Sequence, residues 1–365
     1  MAVAKSHWMA ISRISKTAPV SYRNQSDLKI YGMHRVLYNV PETSEMISRG
    51  RRLLLSGDEQ LLRQLPAGRW IAGTSPYFIA ETGGVVSREK IHVDELPDFI
   101  ESATIKTYDE TTLPDVCRDI PENGFAIIII PANCPIHLTF ALKAHAFEQF
   151  SSRPLAGWVS GVHLDDLGRA TPKVFNGEHR LALENQAVVM HVRLPADKMA
   201  ELGVLNMFEQ SVGDTITFPG DGFGATGVCI NGQPRNLADY IRGKNLATRM
   251  PLVADYQGFL ANVSFQQVDF EKGEVTFYAP VFKGVEYRHA KRLANYVSEF
   301  TQRLPVNPNN PAFSCNCILN FIYSKLEGKC TGTMTGPVTF GEIANRLLNQ
   351  TMVHLTISDR PNNGK

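Results

Sequence analysis

Cys315 and Cys317 are the side chains with the most reactive chemistry to offer, a thiol pair at i and i+2 within Ala312-Phe313-Ser314-Cys315-Asn316-Cys317. On a strand this spacing points both sulfurs to the same side, where Cys330 or a histidine can join them around a soft metal such as zinc. A closed zinc site needs four ligands and usually starts from Cys-x₂-Cys, one residue wider than this pair. A thiol nucleophile is a further reading, because a helix starting near Ile318 lowers the pKa of a thiol at its N-terminus. No base is spaced to serve it. Small buried hydrophobes filling a strand-to-helix corner account for the pair with the fewest demands.

Other stretches carry polar side chains that suit a pocket. Trp158, His163, Asp165 and Asp166 share a glycine-broken loop, which lines a ligand site or, in the simpler reading, forms a solvated turn. Glu342 after Gly341 offers a carboxylate for a pocket rim, with Asn349 and Thr351 as neutral hydrogen-bonding groups. Equally, Glu342 can open a helix over 342–348, where an acid suits the positive end of the dipole. Gly220 to Gly227 is glycine-rich, but it lacks the Lys-Ser/Thr ending of a phosphate loop and leads into a strand, so it reads as a flexible turn. The ten histidines form no His-x₃-His or His-Glu-x₂-His pair.

Periodicity supplies the elements that must position these residues. It predicts a helix over 44–65, ended by Pro66-Ala67-Gly68, and a strand over 69–80 that returns over 85–93 around a glycine turn. A strand over 104–108 and a short helix over 113–119 precede a buried strand over 125–131 with four consecutive isoleucines, which feeds a helix over 137–150. Strands over 155–162 and 187–193 flank an Asn176-Gly177 turn. Residues 195–209 read as polar and locally helical. Beyond them come short strands over 214–218 and 227–230, a helix over 235–242, a hairpin of 261–268 with 274–278, and a long helical pattern over 285–304. A strand over 312–317, a helix over 318–326 and a strand over 352–357 close the chain. The fold class expected is α/β in the broad sense, mixed α+β. It has two lobes, 1–205 and 206–365, each with a mostly buried mixed sheet flanked by helices, and the boundary falls near Leu205.

Composition limits the partners. The chain has 365 residues, 43% hydrophobic and 20% charged, with 37 basic against 36 acidic side chains. That is ordinary globular usage with no global field to hold nucleic acid or an anionic membrane. The longest apolar run, near the isoleucines, is far short of the roughly 20 residues that cross a bilayer. Residues 1–16 lack the pattern of a secretory signal, and the six scattered cysteines suit reduced thiols, so a cytoplasmic protein is expected.

Three ordered landmarks at the end of the chain carry a resemblance. They are Phe313-Ser314-Cys315, Gly336-Pro337-Val338-Thr339-Phe340-Gly341-Glu342-Ile343, and Leu348-Asn349-Gln350-Thr351-Met352. Upstream stand Asn231-Gly232-Gln233-Pro234, Met250-Pro251-Leu252, Gly157-Trp158-Val159-Ser160-Gly161 and Val174-Phe175-Asn176-Gly177. In this order they resemble the FIST family of F-box and intracellular signal transduction proteins, from near Leu65 to Ile357, with 1–40 a poorly matched extension. The resemblance implies N- and C-terminal FIST-like domains that sense a small molecule and pass the signal to a partner such as a histidine kinase. Some bacterial members are haem-binding nitric-oxide sensors. One imidazole suffices as an axial haem ligand, and His137, His145, His163, His191, His289 and His354 all lie in or beside predicted elements. The expected reading is therefore an intracellular sensor, more a binder than an enzyme, with a ligand site built from Trp158, His163, Asp165, Cys315, Cys317, Glu342, Asn349 and Thr351 in a cleft between the lobes. Its alternatives are a haem-based gas sensor and an enzyme using a Cys or an Asp/His pair in the same cleft.

Overall fold

A computed structural model describes residues 35–303 and 311–361. The readings placed on 1–16 and 1–40, and on the Pro305 stop of the long helical pattern, lie wholly or partly outside those residues. Among the described residues the fold is mixed α+β, with four six-stranded sheets, one three-stranded sheet and short helices. Among the described residues no helix is long and apolar enough to cross a membrane.

The isoleucine run shows how the layers form. Strand Gly124–Pro131 lies inside a sheet ordered Arg346–Leu348, Glu342–Ala344, Leu155–Ser160, Gly124–Pro131, Ala187–Arg193, Ser102–Tyr108. Alternate side chains of a strand face opposite sides. Ile127 and Ile129 therefore pack with Leu54, Ile71, Trp158, Phe313, Val353 and Leu355, whereas Ile128 and Ile130 pack with Phe140, Val159 and the cover helix Pro135–Lys143. Gly124–Pro131 and Leu155–Ser160 run parallel, joined through that helix, as a crossover requires.

Two further sheets complete this part of the molecule. One is ordered Leu37–Tyr38, Ile91–Glu95, Leu53–Gly57, Trp70–Thr74, Val174–Asn176, Leu181–Leu183; the other is ordered Lys198–Asn206, Thr351–Asp359, Phe313–Cys317, Gly336–Thr339, Tyr77–Ala80, Gly83–Val86. The Asn176-Gly177 hairpin forms as read, pairing Val174–Asn176 with Leu181–Leu183. Residues 216–289 build a six-stranded sheet and the three-stranded sheet Gly222–Ala225, Glu274–Val281, Phe265–Asp269 around their own core of Phe218, Phe265, Phe277 and Tyr287. The glycine-rich stretch supplies the short strand Gly222–Ala225, and the helix after Asn236 spans Leu237–Lys244. Strands from both ends of the chain share sheets: Gly336–Thr339 pairs with Tyr77–Ala80, and Glu342–Ala344 pairs with Leu155–Ser160. Leu205 falls within strand Lys198–Asn206, which pairs with Thr351–Asp359 along its full length.

Several elements differ from their local reading. Residues 44–65 are a helix, Val40–Ser48, a strand, Leu53–Gly57, and a single helical turn, Glu59–Leu62. Asn39 and Glu42 form a capping box that starts the first helix. Leu54 joins one core while Leu53 and Leu55 join another, a period of two that overrides the helical count. Residues 69–80 split at Ser75-Pro76 into Trp70–Thr74 and Tyr77–Ala80, which enter different sheets. Gly83–Val86 returns on Tyr77–Ala80, whereas Ile91–Glu95 crosses to Leu53–Gly57. The polar 195–209 stretch is extended because Thr351–Asp359 offers it nine paired positions. The 285–304 pattern divides into strand Glu286–His289, which buries Tyr287, and helix Tyr296–Arg303. Residues 342–348 form a hairpin, turned by Asn345 at φ 57°.

Gly157 is where the hairpin meets the central sheet. A Cβ placed there would stand 1.8 Å from the Ile128 carbonyl oxygen, which is backbone and has no room to yield. Gly157→Ala is expected to lower the stability of the fold by about 3 kcal/mol, read as a drop in the urea midpoint. A midpoint within error of the parent's would show that the two strands can separate at little cost.

Candidate functional site

Six of the eight residues singled out from the sequence meet in the interior. Trp158 pairs in register with Glu342 and stacks on Phe313 with ring centres 5.4 Å apart. The Glu342 carboxyl accepts hydrogen bonds from Thr351 N at 3.1 Å, Thr351 Oγ1 at 2.9 Å and Thr339 Oγ1 at 3.4 Å, and from the Cys317 thiol. Cys315 donates to the Gly157 carbonyl at 3.5 Å. Asn349 Oδ1 accepts from Ser264 N and Oγ at 3.1 and 2.5 Å, tying this network to residues 216–289. All six are buried. His163 and Asp165 stand apart from this network, on the single turn Leu164–Asp166, where His163 stacks on Tyr77 at 5.6 Å.

Burial decides the chemistry of this network. It pushes the Cys315 and Cys317 thiols well above their ordinary range, with the nearby Glu342 adding to the rise, so neither is a ready nucleophile. Cys317 does cap a helix, but Ile318–Tyr323 has only six residues. Among the described residues no three His, Cys, Asp or Glu side chains gather to hold a metal ion. Burial also raises the Glu342 carboxyl to about 8, against the opposing pull of its four hydrogen bonds.

None of these eight residues lines the cleft that the fold leaves open. That cleft, of about 330 Å³, lies between the cover helix Pro135–Lys143 with its 144–146 extension and the sheets of 216–289. Ala141, Ala144, Ala254, Ala261 and Ala279 leave the space, with Tyr256, Phe282 and Tyr287 among its aromatic lining. Tyr287 accepts a hydrogen bond from Phe282 N at 2.9 Å and bonds the Tyr256 hydroxyl. His145, its ring edge against Phe282 at 5.4 Å, lines the cleft as well, alone among the six histidines noted in the sequence.

Arg346 projects into the same cleft and was not singled out from the sequence. Asn345 holds the turn through two bonds to Leu155, its N–H to Leu155 O at 2.8 Å and its Oδ1 from Leu155 N at 3.0 Å. The next residue is thereby set among three rings: Tyr256 at 4.9 Å, Phe259 at 5.5 Å and Phe150 at 5.6 Å from its guanidinium carbon. Asn345 in the left-handed region and the Gln257-Gly258 turn between Tyr256 and Phe259 were the signals present in the sequence. A second hollow, of about 360 Å³, is lined by Arg35, Tyr38, Asp94 and Thr335, but Arg35 is already neutralised by a two-pronged bond to Glu42 at 2.7 and 2.8 Å.

The buried carboxyl gives a pH signature. Between the ordinary value near 4.5 and about 8 the folded state keeps a proton that the unfolded chain releases, so stability falls as pH rises through that window, by at most about 1.4 kcal/mol per pH unit from this group. Glu342→Gln keeps an acceptor for Thr351 without titrating. Its denaturation midpoint is expected to depend less on pH than the parent's between pH 5 and 8, and identical slopes would show that the folded carboxyl is ionised throughout.

No curated protein matches the chain. A family of unknown function, DUF6976, matches residues 38–358, so the cleft, the buried carboxyl network and the sheets that hold them all fall within the matched region, and this chain belongs to that family.

Proposed function

We propose that this chain is an intracellular sensory protein that binds a small organic molecule in the cleft beside Arg346 and hands the signal to a separate protein. The observation that carries the reading is the cleft itself, a space of about 330 Å³ where the cover helix Pro135–Lys143 faces the sheets of residues 216–289. A molecule held there touches both, and such seams are where ligand sites and closing motions concentrate. The ordered likeness to FIST proteins supports the same reading and makes a histidine kinase or another signalling protein the kind of recipient. The enzymatic alternative has less behind it: the Cys315 and Cys317 thiols are buried and disfavour ionisation, and His163 with Asp165, 3.7 Å apart, lies outside the cleft lining.

Native mass spectrometry of the purified full chain is expected to show a bound small molecule that denaturation releases. Ala261→Met grows a flexible side chain at the cleft wall and is expected to cost about 1–3 kcal/mol of stability. It should abolish retention of that molecule while the circular dichroism spectrum stays that of the parent. A folded Ala261→Met protein that still carries the same molecule would place the ligand elsewhere and overturn the reading.

A further inference from the structure

We infer that the ligand of this cleft is an organic anion with a flat aromatic body, held at its acidic end by Arg346. The inference rests on the cleft being the binding site, as proposed above. A guanidinium presents five N–H donors along its edge and none on its faces. The rings of Phe150, Tyr256 and Phe259 attract the cation through their π-systems, yet they offer those donors no acceptor. Among the described residues no carboxylate lies within ion-pair distance of Arg346, and no hydrogen bond from its guanidinium to protein is formed. A half-buried fork with free donors is built for a carboxylate, sulfonate or phosphate oxygen pair.

The remainder of the lining agrees with that assignment. Lys283 stands at the mouth, its ammonium likewise without a carboxylate partner among the described residues, and Asp221 is the single acid of the lining. Asp221 already accepts the Lys283 backbone N–H at 2.7 Å. Two permanent cations therefore face one acid that is partly satisfied. Beyond the charges the lining is mostly alanine, aliphatic and aromatic, with His145 and Asn262 as further polar groups, which suits a ring better than a hydroxyl-rich body such as a sugar. The bland account of Arg346 is a staple that joins three chain segments through cation–π contact, and it requires no ligand.

Two dyes with the same rings separate these accounts. 8-Anilinonaphthalene-1-sulfonate carries the negative charge, and N-phenyl-1-naphthylamine lacks it. In fluorescence titrations of the full chain, both are expected to bind the parent and to be excluded by Ala261→Met. Arg346→Met is expected to weaken the sulfonate about tenfold and the neutral dye less than about twofold. Lys283→Met, an exposed change safe for folding, should weaken the sulfonate alone, by about threefold. If Arg346→Met fails to fold, the Lys283→Met selectivity and a steep salt dependence confined to the sulfonate decide the matter. Equal effects on the two dyes, or no effect on either, leave Arg346 as a staple and overturn the anion assignment. Binding of the neutral dye alone overturns it too while sparing the cleft, whereas failure of both dyes to bind the parent defeats the cleft reading itself.

Discussion

Three backbone pairs, Glu342 with Trp158, Ile343 with Gly157 and Ala344 with Ala156, seat the C-terminal hairpin on the central sheet, and the consequences run in both directions from them. On one side they carry Glu342 into the interior, where Thr339, Thr351 and Cys317 converge on its carboxyl. On the other they deliver Arg346, one residue past the Asn345 turn, to the rings that surround it. Glu342 pairs with Leu348 and Ala344 with Arg346, which puts the acid and the guanidinium on one face of the hairpin, so a shift by one residue would move both to the other face and lose both sites together. Gly157 contributes on the other edge of its strand, where its missing side chain lets the Ile128 backbone approach.

The two ionisable groups of the hairpin are handled by opposite means. Glu342 is withdrawn from water and keeps its proton near neutrality, so the interior holds a neutral acid and avoids the large cost of an isolated buried charge. Its acceptor oxygens then serve Thr351 N, which would otherwise be an unpaired donor at the entrance to the Thr351–Asp359 strand. Arg346 cannot shed its charge, and the fold instead surrounds it with π-systems while leaving it open to the cleft. Removing the partners of the first group would leave a buried polar atom unpaired. The second group has no such partner among the described residues.

Much of the frame was legible in the sequence because it rests on local pattern. The isoleucine strand, the helix after Pro135 and the Asn176-Gly177 hairpin depend on a continuous apolar run, periodicity near four and a turn residue. Where the local pattern misled, distant pairing decided: residues 195–209 are extended by Thr351–Asp359, and Tyr287 is drawn into a strand by the core of Phe218 and Phe277. Of the residues chosen as a site, six of eight are buried in the interior, where Thr351 and Cys317 bond the Glu342 carboxyl, since strand ends that carry polar side chains do converge. Their burial was invisible to composition. The cleft was not legible at all, because its rings and cation come from positions 256, 282, 287 and 346, and only the folded sheets bring those together.

The alanines of the cleft carry a further step. Elsewhere this chain packs its alanines, such as Ala72, Ala126 and Ala187, among Ile, Leu, Val and Phe in a filled interior, and cavities cost stability in proportion to their size. Ala141, Ala144, Ala254, Ala261 and Ala279 lie on five different elements, and all five line the cleft. One longer side chain at any of these positions would close part of the gap and bury more apolar surface. Retaining five small residues around an unpaired guanidinium forgoes that stabilisation at the point where a ligand with an apolar body and an acidic group would restore it, replacing the missing side-chain contacts and the missing counter-charge together.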